Sequence, residues 1–216
     1  DYRLLYELPV HENVHFIRFV ELKGHVVGTG ILQDGRFGVY DTSTFEYSEQ
    51  ESYPDSPSVN SLDNRYKGAL FSRTLLAADK KGERMVAACF GLLDFYQLSS
   101  DGQLRLIHVH HYHYPEFTQD PVGGGAIGIS REDKVGITGL VADDRYVYAL
   151  YSDKTFGQDG EKSYNASHLL VYDWSGTPVK HYRLSRDLYG IALSGNTLYG
   201  LCRVDEPIVY CCQLDS

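Results

Sequence analysis

Pairs of short apolar runs, each pair joined by a tight polar turn, recur along the chain and predict antiparallel β-hairpins. The four turns are Lys23-Gly24, Lys81-Gly82, Asp143-Asp144 and Gly195-Asn196. Gly, Asn and Asp suit these positions because they tolerate the positive φ angles that tight hairpins require. The turns recur at intervals of roughly 50–60 residues, a spacing typical of a repeated β-module.

Each hairpin is followed by a third apolar run that carries a tyrosine at an equivalent position. These tyrosines are Tyr40, Tyr96, Tyr172 and Tyr210. A fourth run follows in the first three modules, and residues 1–9 (DYRLLYELP) are a candidate for the missing fourth strand of the last module. The pattern therefore predicts an all-β fold, a β-propeller of four-stranded antiparallel blades with about four blades in this chain. A β-sandwich built from hairpins is the alternative.

The repeat also predicts the domain organisation. We expect residues 1–216 to form a single β-propeller domain, because each module needs a neighbour to bury its apolar faces. The predicted blades span approximately residues 11–52, 70–114, 134–185 and 186–216, and the N-terminal strand 1–9 completes the last of them.

Three connecting segments are much longer than the other turns and are predicted to be irregular: residues 52–69, 115–134 and 152–167. In a four-stranded blade, the connection to the next blade and the loop between the second and third strands leave on the same face. All three segments therefore belong to one face, which we call the long-loop face. Long loops in compact domains are usually functional or disordered, so this face is where we expect a ligand to bind.

Several segments resemble the TolB-like six-bladed propeller family of gut bacteria. They are YVYALYS at 146–152, LVYDWSGTPVK at 170–180, GTGI at 28–31, GRF at 35–37, and the Tyr-Pro pairs at 53–54 and 114–115. The resemblance implies a propeller whose members are mostly exported and lipid-anchored, and largely without assigned activity. It supplies no catalytic residue. Asp153-Lys154 departs from the Gly-Arg pair typical of the family, which puts any family role of that loop in doubt.

The family ring has about two blades more than this chain provides. We therefore expect either a closed four-bladed ring or the C-terminal part of a longer ring, and in the second case the chain would be a structural fragment. The resemblance also implies an extracytoplasmic location, in the periplasm or as a lipoprotein anchored to the outer membrane.

Charge narrows the range of partners. The 216 residues carry a formal net charge of -9 at pH 7, which argues against nucleic acid or an anionic membrane as the main partner. No apolar run approaches the roughly 20 residues that a transmembrane helix needs. We expect a protein or carbohydrate ligand on the long-loop face, and no cofactor.

The candidate ligand-binding residues are aromatic and basic side chains on or beside the long loops: Arg36, Tyr53, Tyr66, Phe117, Tyr151, Lys154, Phe156 and Tyr164. Aromatic and arginine side chains are enriched at interfaces, although they also anchor loops to their own domain. With no catalytic constellation visible, the first hypothesis is a non-enzymatic binding module of the bacterial cell envelope. The alternative is a carbohydrate-active hydrolase that uses loop carboxylates near the central channel.

Histidine and cysteine give no complete metal site. His108 and His110 share one face of a predicted outer strand and are candidates for two metal ligands, but no third ligand is evident. A solvated polar strand is the other interpretation of this run. The four cysteines lie in apolar strand runs and are predicted to be buried free thiols, with a Cys202–Cys211 bridge as the alternative.

Overall fold

The computed structural model describes residues 4, 7–9, 11–50, 53–203 and 207–214, and in it four antiparallel sheets are arranged in a ring. The predicted β-propeller architecture is confirmed. In each sheet the strands pair in the order in which they follow one another in the chain. This meander is the expected consequence of consecutive hairpins with short turns.

The first sheet contains β1 (His15–Leu22), β2 (His25–Ile31), β3 (Phe37–Asp41) and β4 (Tyr47–Gln50). Two helices follow, α1 (Pro57–Asn60) and α2 (Asn64–Phe71). The second sheet contains β5 (Leu75–Ala78), β6 (Arg84–Cys89), β7 (Leu92–Leu98) and β8 (Leu104–His111).

A small hairpin, β9 (Phe117–Gln119) with β10 (Ile127–Ile129), precedes the third sheet. The third sheet contains β11 (Lys134–Ala142), β12 (Tyr146–Thr155), β13 (Ala166–Asp173) and β14 (Pro178–Leu188). Helix α3 (Phe156–Asp159) and a 3-10 helix (Gly160–Tyr164) lie between β12 and β13. The fourth sheet contains β15 (Gly190–Ser194), β16 (Thr197–Arg203) and β17 (Pro207–Gln213).

Neighbouring sheets pack face to face, which explains why the middle strands are apolar on both sides. Phe37 of the first sheet meets Tyr96 of the second edge-to-face, with ring centroids 5.3 Å apart. Phe95 of the second sheet meets Tyr172 of the third in the same way, at 6.0 Å. Leu198 of the fourth sheet packs into a buried cluster with apolar residues of the third. The equivalent tyrosines of the second and third sheets are thus buried between blades, and Tyr40 of the first sheet is also buried.

The long segments are more ordered than predicted. The prediction of irregular structure is wrong for residues 52–69, which contain α1 and most of α2. Ser56 caps α1 by accepting a hydrogen bond from the backbone of Val59, and Asp63 caps α2 by accepting one from Tyr66. The other two segments hold the β9–β10 hairpin and the helices after β12. Elements of three to eight residues are too short for a legible hydrophobic period.

The predicted N-terminal strand lies largely outside the described residues. Of the segment 1–9, the structure describes residues 4 and 7–9. Pro9 lies against the first sheet, where its carbonyl oxygen accepts a hydrogen bond of 2.8 Å from the Tyr40 hydroxyl. Pairing of residues 1–9 with β17 therefore stays a prediction.

All four cysteines are free. Cys89 and Cys202 are buried as predicted, but the prediction is wrong for Cys211 and Cys212, which are exposed on β17. The alternative Cys202–Cys211 bridge is also wrong. The strand register explains this, because Cys202 lies opposite Ile208 while Cys211 lies opposite Tyr199.

Candidate functional site

The three long segments meet on one side of the ring, which confirms the predicted long-loop face. The Tyr66 hydroxyl of the first segment donates a hydrogen bond of 2.7 Å to Asp120 of the second. The Gly157 backbone N–H of the third segment donates one of 2.6 Å to the Arg131 carbonyl of the second. These contacts join the helices and the small hairpin into one continuous surface.

The opposite face consists of tight turns that are hydrogen-bonded to one another. The Lys23 N–H donates to the Gly82 carbonyl at 2.7 Å, which links the β1–β2 turn to the β5–β6 turn. The Lys80 N–H donates to the Asp144 carboxylate at 3.0 Å, which links that turn to the β11–β12 turn. The tight turns of this turn face are bonded to one another, whereas the two described clefts open on the long-loop face, which is therefore the better candidate for binding.

A chain of polar side chains runs from the buried junction of the first two sheets to the long-loop face. Arg36 Nη1 donates to Asp94 Oδ2 at 2.5 Å, and the two side chains are 1% and 2% exposed. Asp94 Oδ1 lies 2.7 Å from His111 Nε2. His111 Nδ1 lies 2.6 Å from the Tyr114 hydroxyl, which also donates to the Asp55 carbonyl at 2.7 Å. These two contacts of its hydroxyl hold the Tyr114 side chain in place.

Arg36 and Asp94, the two buried members of this row of side chains, are both charged. Burial alone would raise the pKa of Asp94, but the Arg36 charge and the hydrogen bonds from His111 and Arg36 outweigh it, so the pKa is lowered. Burial likewise opposes the charged form of Arg36, and the Asp94 charge more than compensates, so its pKa is raised. The rings of Phe37 and Phe71 also contact the guanidinium, with their centroids 5.2 and 5.3 Å from its carbon.

Two neighbouring clefts open on the long-loop face, and Tyr114 and Glu116 line both. The first cleft has a volume of about 400 Å³ and is otherwise lined by Ser58, Ser61, Pro115 and Phe117. The second cleft has a volume of about 550 Å³. The two clefts therefore lie side by side, with Tyr114 and Glu116 between them.

The second cleft combines aromatic and charged walls. Its aromatic residues are Tyr112, Tyr114 and Tyr151, and its charged residues are Glu116, Glu132, Asp133 and Lys134. His113 also lines it, and burial lowers the pKa of this imidazole despite the opposing hydrogen bond with the Lys134 carbonyl. Open, tyrosine-rich depressions with a few charges are suited to binding rather than to enclosing a reaction.

Three of the predicted ligand-binding residues have internal partners. Arg36 is buried in its ion pair with Asp94. The Tyr53 hydroxyl donates to the Gly35 carbonyl at 2.8 Å, and Tyr66 is 8% exposed and bonded to Asp120. Tyr53 thus ties the first long segment to the residues before β3, and Tyr66 joins it to the second segment, so these contacts hold the loops themselves.

The other five predicted residues lie on the long-loop face but do not form one group. Phe117 lines the first cleft and Tyr151 lines the second. Lys154 of the third segment donates from Nζ to the carboxylate of Asp187 on β14, at 2.5 Å. The Phe156 and Tyr164 rings contact each other there with centroids 6.4 Å apart, and Tyr164 is 39% exposed. The structure therefore divides them between the clefts and the third segment.

Sequence reasoning missed most of the second cleft. Tyr112, Tyr114, Glu132, Asp133 and Lys134 line it and were not among the predicted ligand-binding residues. The available signal was the alternation of aromatic and polar residues in HHYHYPEF at 110–117, where every second residue shares a face. Only the packing of the second sheet against the third brings Tyr151 to these residues.

The histidine run has structural contacts. His108 and His110 lie side by side with ring centroids 4.7 Å apart, and His110 Nε2 lies 2.5 Å from the Gly176 carbonyl of the third sheet. In the part of the chain that the structure describes, no group of three or more His, Cys, Asp or Glu is positioned to hold a metal ion. The interpretation as a solvated polar strand is also incomplete, since His111 faces the buried Asp94 carboxylate.

Several loop carboxylates serve the loops themselves. Asp63 caps α2, and Asp120 accepts hydrogen bonds from the Tyr66 hydroxyl and the Gly124 N–H. The hydrogen bond from Tyr66 is the main cause of the lowered pKa of Asp120. A hydrolase needs a carboxylic acid with a raised pKa beside a second carboxylate, and the lowered pKa of Asp120 does not suit it to the role of that acid.

A family model described as TolB-like 6-blade propeller-like matches residues 7–196 of the chain. No curated protein matches it. Within the described residues, no helix is long and apolar enough to cross a bilayer.

Three solved structures align with the chain. Dihydro-heme d1 dehydrogenase NirN in complex with DHE aligns with a TM-score of 0.50 and 14% identity, over 90% of this chain and 34% of NirN. BamB from Moraxella catarrhalis aligns with a TM-score of 0.46 and 10% identity, over 85% of this chain and 39% of BamB. The computationally designed Ika4 protein aligns with a TM-score of 0.42 and 14% identity, over 99% of each chain. This chain thus spans little more than a third of BamB and NirN.

Proposed function

We propose that this chain, which belongs to the TolB-like 6-blade propeller-like family, is a non-enzymatic binding module. It binds a protein partner through its long-loop face. The partner contacts the two clefts that Tyr114 and Glu116 share. Propellers commonly present one elaborated face on a rigid ring, so that loops held by the blades can carry recognition.

One observation carries this proposal: the long segments gather on one face, where residues of the first two line the clefts, whereas the turns on the other face are tight and hydrogen-bonded to one another. The cleft walls are rich in tyrosine, a residue enriched in protein interfaces because it offers a large rigid surface with a polar end. Tyr112 is 51% exposed, although its ring is large and mostly apolar. An exposed aromatic ring at the rim of a depression is suited to burial by a partner.

The proposed location is extracytoplasmic, in the periplasm or as part of an envelope lipoprotein. Membership of the TolB-like family supports this location. Fractionation of cells that express the full-length gene product tests it: the protein is expected in the envelope or periplasmic fraction, and recovery in the cytoplasmic fraction would contradict it.

Site-specific photo-crosslinking tests the function. Benzoylphenylalanine is placed at Glu116 or Tyr164 on the long-loop face, and at Lys81 or Asn196 on the turn face; all four positions are exposed. We expect the long-loop positions to crosslink to one defined envelope protein and the turn positions to give none. Equal crosslinking from both faces would overturn the proposal, and release of reducing sugar from a glycan panel would favour the hydrolase instead.

A further inference from the structure

We infer that the second cleft binds an arginine side chain presented by the protein partner. This inference rests on the proposed function and adds the chemistry of the partner to it. It follows from the charges of the cleft, from its aromatic walls and from the way those walls are held.

The charges favour a cation. Three carboxylates, Glu116, Glu132 and Asp133, line the cleft against one amine, Lys134. The pKa of His113 is lowered by burial from 6.5, so this imidazole adds no positive charge at neutral pH. The chain as a whole has a net charge of -9, which attracts a basic partner from a distance.

The aromatic walls favour a cation with a planar, weakly hydrated head group. The rings of Tyr112 and Tyr151 meet edge-to-face with centroids 6.4 Å apart. A guanidinium can stack on a tyrosine face while its N–H groups reach a carboxylate, and it sheds water more readily than an ammonium. Arginine therefore suits the cleft better than lysine does.

The walls are held in place before any ligand arrives. The Tyr114 hydroxyl is fixed by His111 and by the Asp55 carbonyl, and the Tyr112 hydroxyl is bonded to the hydroxyl of the buried Tyr172. The Glu116 N–H donates to the Asp133 carboxylate at 2.5 Å, and this hydrogen bond joins two of the acidic residues that line the cleft. Side chains that are already ordered lose little entropy on binding.

Short capped peptides test the inference directly. The full chain, labelled with ¹³C in its tyrosine rings, is titrated with acetyl-Gly-Arg-Gly-amide and with the same peptide carrying citrulline, the neutral isostere of arginine. We expect saturable shifts at Tyr112, Tyr114 and Tyr151 with the arginine peptide and about tenfold weaker binding of the citrulline peptide. A lysine peptide is expected to bind between the two. Equal affinities for arginine and citrulline, or shifts that do not involve these tyrosines, would overturn the inference.

Two double variants that remove the same charge distinguish binding by the cleft carboxylates from attraction by the net charge of the protein. Glu116→Gln with Glu132→Gln is expected to weaken the arginine peptide by about fivefold or more. Glu46→Gln with Glu161→Gln removes the same charge from exposed positions that do not line the cleft and is expected to change affinity by less than about twofold. Equal losses in both variants would show that general attraction, and not the cleft, binds the peptide.

The two proposals can fail separately. If the arginine peptide does not bind but the long-loop positions still crosslink to a partner, the arginine site is wrong and the binding face remains. If the crosslinks come from the turn face, the proposed function is wrong whatever the peptide does.

Discussion

Arg36 Nη1 lies 2.5 Å from Asp94 Oδ2, and this ion pair joins the first sheet to the second inside their shared interface. Asp94 also contacts His111, and His111 in turn contacts Tyr114, which lines both clefts. The pair is therefore both a link between blades and the inner end of the chain that positions the candidate site.

Removing one partner of this pair should be costly. Asp94→Asn removes the carboxylate that faces the buried Arg36 guanidinium, and breaking a buried ion pair by removing one partner typically costs about 3–5 kcal/mol. We expect a loss of that size in the free energy of unfolding, measured by urea denaturation. A loss below about 1 kcal/mol would show that water or another group neutralises Arg36.

The double variant Arg36→Met with Asp94→Leu is the control for that experiment. It removes both charges and keeps the interface apolar, so its cost is expected to be smaller than that of Asp94→Asn alone. A larger cost in the double variant would mean that the pair stabilises the junction by more than charge compensation.

Alanine substitutions at two glycines with positive φ distinguish the cost of backbone strain from the cost of steric overlap. At Gly136 φ is 82°, and a Cβ there would overlap the Phe90 carbonyl of the second sheet. At Gly195 φ is 56°, and among the described residues no heavy atom lies within 4 Å of the added Cβ. Gly195→Ala is expected to cost about 1–2 kcal/mol from backbone strain, and Gly136→Ala about 3 kcal/mol or more. Equal costs in thermal unfolding would contradict the close approach at Gly136.

The thiols should react in two classes. Cys211 and Cys212 are exposed on β17, whereas Cys89 and Cys202 are buried. Burial also raises the pKa of Cys89 to about 11, which suppresses its thiolate. We expect Ellman's reagent to titrate two thiols in the native protein and all four in denaturant. Reaction of all four in the native state would contradict the burial of Cys89 and Cys202.

Stability should decrease on mild acidification, in part through His113. Because burial lowers the pKa of His113 in the folded protein, the unfolded chain takes up this proton more readily. The penalty therefore appears as the pH falls through 6.5 towards the lowered value. The drop in Tm between about pH 7.5 and about pH 5.5 is expected to be smaller in His113→Gln. His168, whose pKa burial also lowers, is the same in both proteins. An equal drop in Tm in the two proteins would contradict a contribution of His113 to the loss of stability.

The fold was predictable because its information is local. The turns at Lys23-Gly24 and Lys81-Gly82 lie where the sequence places them, and both glycines have positive φ. Tyr96 and Tyr172 occupy equivalent positions because each sheet buries the same strand against its neighbour. The short helices were missed because their order comes from caps and from packing on the blades, not from a periodic pattern.

The site was less predictable because its residues come together only through the packing of different sheets. The place of Arg36 beside the long loops predicts a binding role, but its partner Asp94 lies 58 residues away in the chain, on the second sheet. Tyr151 lines the second cleft with Tyr112 only because β12 packs beside the end of β8. Such contacts depend on tertiary geometry, which a single sequence pattern does not contain.

The affinity of the crosslinked envelope partner for two charge-reversal variants tests the central claim most directly. Glu116→Lys changes the wall that both clefts share, and Glu46→Lys makes the same change beside the β3–β4 turn. Calorimetry is expected to show affinity weakened by about tenfold or more for Glu116→Lys and by less than about twofold for Glu46→Lys. Equal affinities for the two variants would contradict binding at the long-loop face.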